Sequence, residues 1–129
     1  YLDIAINREP NVGQYYNSKG SILARIGRFD ESFAAFAKAI ELEPNNALFL
    51  ESLGFAYVDL GNKLNEDATY LDNKAYAKAK VEIDAAYKNA LPYFEKAYEL
   101  EPDNESFKHS LRSLYYRLGM NDKYEALAD

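Results

Sequence analysis

Cysteine and tryptophan are absent from the 129 residues, and histidine and methionine occur once each. Without cysteine there is no disulfide, no thiolate nucleophile and none of the common zinc ligand sets, although the compartment stays undetermined. The single histidine, His109, rules out a two-histidine metal motif. Long apolar runs are also lacking, so no segment is expected to span a bilayer. No signal-peptide pattern is recognisable, and Tyr1 is expected to fall in the middle of a helix, as in a piece of a longer chain. Nor is positive charge concentrated: 15 Lys and Arg are interleaved with 21 Asp and Glu, for a net charge of -6 and a pI near 4.8. A phosphate backbone or an anionic membrane surface is bound mainly through clustered cations, so nucleic acid and membrane are not expected partners.

What is present in quantity is aromatic: 12 Tyr and 7 Phe in a chain whose hydrophobic and charged shares, 48% and 28%, are those of a soluble globular domain. Tyrosine buries a ring while its hydroxyl reaches water, which suits a thin, layered structure. The scarce prolines and glycines, four and six, fall in a pattern. Glu9-Pro10, Glu43-Pro44 and Glu101-Pro102 are separated by 34 and then 58 residues, the second spacing being 34 plus 24. Ala5, Ala39 and Ala97 keep the same intervals, as do Leu2, Phe36 and Phe94, and Gly27, Gly61 and Gly119. Series sharing one phase identify an internal repeat with a single interruption.

Within a unit the rhythm is helical. Tyr16, Gly20 and Leu23 share a face, Gly27 to Asp30 reads as a turn, and a second amphipathic run follows from Glu31 to Glu43. Asp30 is expected to cap that run, Pro44 to end it, and Asn46 to cap the next helix. Small residues at Gly20, Ala39 and Gly54 allow helices to approach closely. A lone hairpin cannot cover its apolar stripe, so the units must stack.

The segment from Gly13 to Pro44, with Tyr16, Gly20, Leu23, Ser32, Phe36, Ala39 and Pro44, resembles a tetratricopeptide repeat, with Lys19 where leucine is usual. A second unit supplies Leu50, Leu53, Gly54 and Tyr57, then, after the interruption, Ala90, Phe94, Ala97 and Pro102. A third gives Leu111, Tyr115 and Gly119 but has Lys108 and Arg112 at the aromatic and glycine places. The resemblance implies an all-α fold, a right-handed α-solenoid of tetratricopeptide-type hairpins. It divides a single domain, 1–129, into the end of a preceding repeat (1–10), a repeat (13–46), a repeat with an insertion of about 24 residues near 62–85 (47–104), and a partial repeat (105–129). Ala90-Leu91-Pro92-Tyr93 with Leu118-Gly119-Met120 is also similar to a group of bacterial repeat proteins carrying such an insertion.

The insertion is not loop-like. Residues 73–90 contain no Gly or Pro and carry Tyr76, Ile83 and Tyr87 in helical rhythm, with Asp72-Asn73 as the cap. Two arrangements remain open: both helices of the second repeat lengthened into a projecting hairpin, or a flexible loop followed by one long helix. In the first, Leu64, Ala68 and Leu71 would cover the apolar face, unless a partner does. Pro92 is expected to kink its helix.

No catalytic constellation can be assembled. His109 has no nucleophile-elbow motif beside it, Glu66, Asp67 and Asp72 lack the spacing of a calcium loop, and the glycines form no phosphate cradle. No enzyme activity, metal or cofactor is therefore expected. The resemblance implies instead a concave groove lined by the first helix of each hairpin. It places Gln14, Asn17, Ser21 and Arg25 there from the first repeat, Glu51, Phe55 and Asp59 from the second, and His109, Ser113 and Tyr116 from the third. Each set steps by about one helical turn, so its members share a face. The function so implied is a scaffold for a protein or peptide partner. Glu51 and Asp59 favour a ligand of basic character and would repel the terminal carboxylate that some members of the family clamp. The alternatives are a regulatory or substrate-recruiting segment of a larger enzyme, and a module that stacks on copies of itself.

Overall fold

The computed structural model describes residues 2–128, leaving Tyr1 and Asp129, the outer limits of the first and last partial units, outside the described residues. Seven helices follow one another without a strand among the described residues: α1 (Leu2–Arg8), α2 (Gly13–Arg25), α3 (Phe29–Leu42), α4 (Ala47–Ala68), α5 (Asn73–Leu100), α6 (Glu105–Arg117) and α7 (Asn121–Ala126). Each packs on its successor, and α2 also meets α4. This is the all-helical hairpin stack that the repeat pattern implies.

Two recurrent turns build it. At the end of α2, Gly27 adopts φ +84°, the amide of Arg28 donates to Leu23 O at 2.9 Å and that of Gly27 to Ala24 O at 3.1 Å. Gly119 repeats the device after α6 with φ +71°, Met120 N donating to Tyr115 O and Gly119 N to Tyr116 O. Such a left-handed residue closes the helix end at least cost in glycine, which has no Cβ. The other turn follows α3 and α5. The amides of Glu43 and Glu101 reach back to Ala39 O and Ala97 O, proline follows, and an asparagine starts the next helix. Asn46 Oδ1 accepts from the amides of Leu48 and Phe49, and Asn104 Oδ1 from that of Phe107. Each asparagine also donates through Nδ2 to the glutamate three residues earlier, Glu43 or Glu101. After Pro10 the corresponding residue is Val12, and α2 begins without a side-chain cap. Asp30 does not cap α3, contrary to its expected role. The helix starts two residues earlier than expected, at Phe29, so Asp30 sits in the first turn while Arg28 pairs with Glu31 at 2.6 Å. A carboxylate in that turn still favours the helix dipole.

The core forms where the second helix of a hairpin places an aromatic ring against a glycine of the first. A Cβ on Gly20 would stand 2.8 Å from the Phe36 ring, and one on Gly54 would stand 2.5 Å from that of Phe94. Ala39 and Ala97 are 0% and 1% exposed. Beneath the first pair, the buried Ser32 hydroxyl donates to Gly20 O at 2.7 Å.

The second hairpin is longer than the first. Helices α4 and α5 have 22 and 28 residues, against 13 and 14 in α2 and α3. Gly61 keeps the phase of Gly27 and Gly119 but makes no turn. It lies inside α4, where a Cβ would meet the Tyr87 ring at 2.5 Å. The same close approach used at Gly20 and Gly54 thus recurs one step further along the pair. Residues 62–68 and 73–85 are helical, and Asp72 caps α5 by accepting from Ala75 N at 2.8 Å. The two arms cover one another. Ala68 and Ile83 are buried together with Leu64, Tyr76 and Ala79 packed against them, while Tyr87 OH donates to Asn62 Oδ1 and Tyr76 OH to Asn65 Oδ1. Leu71 stays exposed at the tip beside Tyr70, which is 94% exposed. Helix α5 continues through Pro92 to Leu100.

Candidate functional site

The residues stepped along α2, α4 and α6 do not all meet. Ser21 and Arg25 of α2 and Phe55 and Asp59 of α4 line one open concavity of about 270 Å³, with Ser52 and Ala56 beside them. Its neighbour towards the long hairpin, about 430 Å³, is lined by the same Arg25 and Asp59 together with Lys63 and Glu66. His109, Ser113 and Tyr116 line a separate concavity between α6 and α7. Gln14 and Asn17, nearer the start of α2, line neither of these. Gln14 donates to Ser18 at 3.2 Å, and Asn17 Oδ1 is buried without a hydrogen-bond partner. Glu51 connects the sets, accepting from Ser110 of α6 at 3.2 Å.

Helical spacing accounts for each grouping. Glu51, Phe55 and Asp59 are four residues apart, so they stand in line along α4. Phe55 is 44% exposed yet anchored, its ring edge-on to Phe94 with centroids 5.1 Å apart. Burial pushes the Glu51 carboxyl above its ordinary range, partly opposed by the hydrogen bond from Ser110, and it raises Asp59 likewise. Charge on either group is therefore less well solvated than at an open surface and gains more from a cation brought close. Asp59 and Arg25 line the same space without forming an ion pair.

Ala24, Ser52 and Ala56 complete the α2–α4 concavity, and Arg112, Arg117 and Tyr124 the α6–α7 one. Arg117 lies one turn beyond Ser113 on the same face, so continuing the step along α6 would have reached it. Arg112 occupies the glycine place of the repeat, and only packing shows that it turns towards α7, donating from Nε to Tyr124 O at 3.2 Å. Among the described residues no three His, Asp or Glu side chains are grouped as a metal site requires, and no helix is long and apolar enough to cross a membrane.

Two family models match the chain, a TPR repeat over residues 20–61 and a tetratricopeptide repeat over residues 85–104. No curated protein matches it. Among solved structures, a monomeric mutant of IFIT1 with Gppp-AAAA superposes with a TM-score of 0.81, and a human IFIT1 dimer with m7Gppp-AAAA with 0.78. Both are 20% identical over 98% of this chain. At that identity the likeness concerns the fold alone. This chain spans about a quarter of the length of those proteins, 27%.

Proposed function

Since the chain is a tetratricopeptide repeat protein, we propose that it holds an extended segment of a protein partner across the faces of α2, α4 and α6, and that the segment carries a basic side chain. Repeats of this family are in general interaction modules rather than catalysts. The observation that carries the reading is the concavity between α2 and α4, where an exposed, anchored Phe55 stands beside an Asp59 that has no ion-pair partner among the described residues. An aromatic floor accepts the aliphatic stem of a lysine or arginine and the Asp59 carboxylate its head, with Glu51, about two turns along α4, adding negative charge nearby. The polar group at Ser21 is then available to a peptide backbone. The IFIT1 structures hold capped oligonucleotides, but in this chain 21 acidic residues outnumber 15 basic ones. That balance argues against a polyanion here.

Fluorescence anisotropy with labelled basic and acidic peptides tests the proposal. Basic peptides are expected to bind, Phe55→Ala to weaken them by about tenfold as an anchor residue would, and added salt to weaken them further. Both carboxyls titrate above the usual range, so affinity should fall as pH drops through that raised range and the charges are lost. Equal binding by the Phe55→Ala, Asp59→Asn double variant would refute the proposal, as would chemical-shift mapping to the outer helices around Lys38 or Lys96. Concentration-dependent sedimentation with no peptide bound would favour stacking of the chain on its own copies.

A further inference from the structure

The concavity between α6 and α7 has the opposite character. This open concavity of about 290 Å³ is lined by His109, Arg112, Ser113, Tyr116, Arg117 and Tyr124, with no carboxylate among the described residues that line it. In this acidic chain Lys19, Arg28, Lys38, Lys63, Lys80 and Lys123 each face a carboxylate. Arg112 and Arg117 do not, and unlike the exposed Arg8, Arg25, Lys74, Lys78, Lys88 and Lys96, which also face none among the described residues, they are fixed in place. Each is instead held by a tyrosine. The Arg112 guanidinium lies 3.9 Å from the Tyr124 ring centroid and donates from Nε to the Tyr124 carbonyl. The Arg117 guanidinium lies 4.7 Å from the Tyr87 centroid and donates from Nη1 to the Tyr87 hydroxyl at 3.1 Å. That hydroxyl in turn donates to Asn62 Oδ1 at 2.7 Å.

A guanidinium has five N–H donors, and each of these spends one on the protein. Stacking on a ring and bonding to a neutral oxygen fix the position of the group but leave its charge uncompensated. Two cations so fixed on one concave wall, with the Ser113 hydroxyl between them in sequence, form a preorganised site for an oxyanion. We infer that the α6–α7 concavity binds a single oxyanion, a carboxylate or phosphate monoester, borne by a protein partner. Two arginines match one such group rather than a run of phosphates, and the net charge of -6 opposes a nucleic-acid strand. Together with Asp59 on α4, the site gives the stack an acidic and a basic station along its helices. A partner spanning both is oriented by the order of its charges. The assignment rests on the α6–α7 residues alone and holds or fails independently of a peptide on α2 and α4.

The test is an NMR titration of the whole chain with inorganic phosphate and, separately, acetate, each against sodium chloride at equal ionic strength. Saturable shifts are expected at the Nε–H groups of Arg112 and Arg117 and at nearby backbone amides of α6 and α7. The tighter of the two anions identifies the group. An otherwise uncharged peptide with one phosphoserine or one glutamate should give the same footprint. Arg117→Gln should weaken binding by about tenfold or more, the loss of hydrogen bonds to a charged group. Arg117→Lys should restore part of it. Should Arg112→Gln detach α7, the titration of the unaltered chain still decides. Shifts no larger than those from chloride, or spread evenly over all lysines and arginines, would overturn the assignment. So would a single-stranded oligonucleotide binding more tightly than either peptide with shifts beyond α6 and α7.

Discussion

Two glycines in one phase do unlike work. At Gly27 the requirement is conformational: φ is +84° and nothing lies within 4 Å of where a Cβ would stand. At Gly61 it is steric, with the Tyr87 ring 2.5 Å from that point and the backbone helical. Asparagine tolerates the left-handed region but is no smaller than alanine, so one substitution separates the two causes. Gly27→Asn is expected to stay close to the parent stability, with Gly27→Ala less stable by about 1 kcal/mol. Both Gly61→Ala and Gly61→Asn should cost roughly 1–3 kcal/mol through overpacking. Chemical denaturation of the four variants checks this, and equal losses at both sites would contradict it. The turn at Gly27 was legible from the residues around it. The change of role at Gly61 was not, because spacing records that a glycine recurs but not which neighbour crowds it.

At the level of elements the long hairpin departs most from the repeat. Isolated helices of this length are marginal in water, so α4 and α5 beyond Gly61 owe their order to each other. Tyr87, Ile83 and Ala68 supply the buried surface, and the Tyr87–Asn62 and Tyr76–Asn65 hydrogen bonds tie the arms at two levels. Ile83→Ala removes the largest aliphatic side chain buried there and is expected to cost about 2–5 kcal/mol. Hydrogen exchange on the unaltered chain should show protection from Ala75 through Tyr87, lost in Ile83→Ala, with fast exchange at Thr69 to Leu71. Uniformly rapid exchange across α5 in the parent chain would show that the arm does not pack on α4. Helical rhythm in residues 73–90 made α5 readable in advance. Whether 62–71 formed its partner was open, because only Leu64, Ala68 and Leu71 marked that face. Leu71 in fact lies past the end of α4 and is exposed.

Across these 129 residues, stability in a stack of hairpins is a sum of units and their interfaces, and the outermost helices of the segment have one neighbour within it instead of two. Helices α1 and α7 contain no buried residue, whereas every helix between them contains at least three. Exchange is therefore expected to be fastest in α1 and α7 and slowest in α3, α4 and the last half of α5, with the order read from native-state hydrogen exchange at low denaturant. Protection in α1 equal to that in α3 would contradict a nearest-neighbour stack. The same gradient bears on the candidate sites. The α2–α4 concavity sits in the firm middle, while the α6–α7 concavity includes Tyr124 from a helix held mainly at one face, so an anion bound there should slow exchange in α7.

The sequence by itself determined the helical class, the hairpin unit, its stacking and the asparagine cap at Asn46, because each depends on local spacing: a turn residue, a cap, a stripe every three or four positions. It also marked His109, Ser113 and Tyr116 as one face of α6, and Phe55 and Asp59 as neighbours on α4. Tertiary structure alone decided which faces meet. Ser21 and Arg25 join Phe55 and Asp59 because α2 packs on α4, Gln14 and Asn17 lie apart from that space, and Glu51 is drawn to Ser110 from 59 residues away. It also decided that Arg112, standing where the repeat has a glycine, sets its guanidinium over Tyr124 of α7, whereas Gly20 and Gly54 are closed upon by the rings of Phe36 and Phe94. Periodicity fixes the direction of a side chain about its own helix axis. The distance and angle between axes come from how unlike side chains interlock, and that is set only when the whole stack has packed.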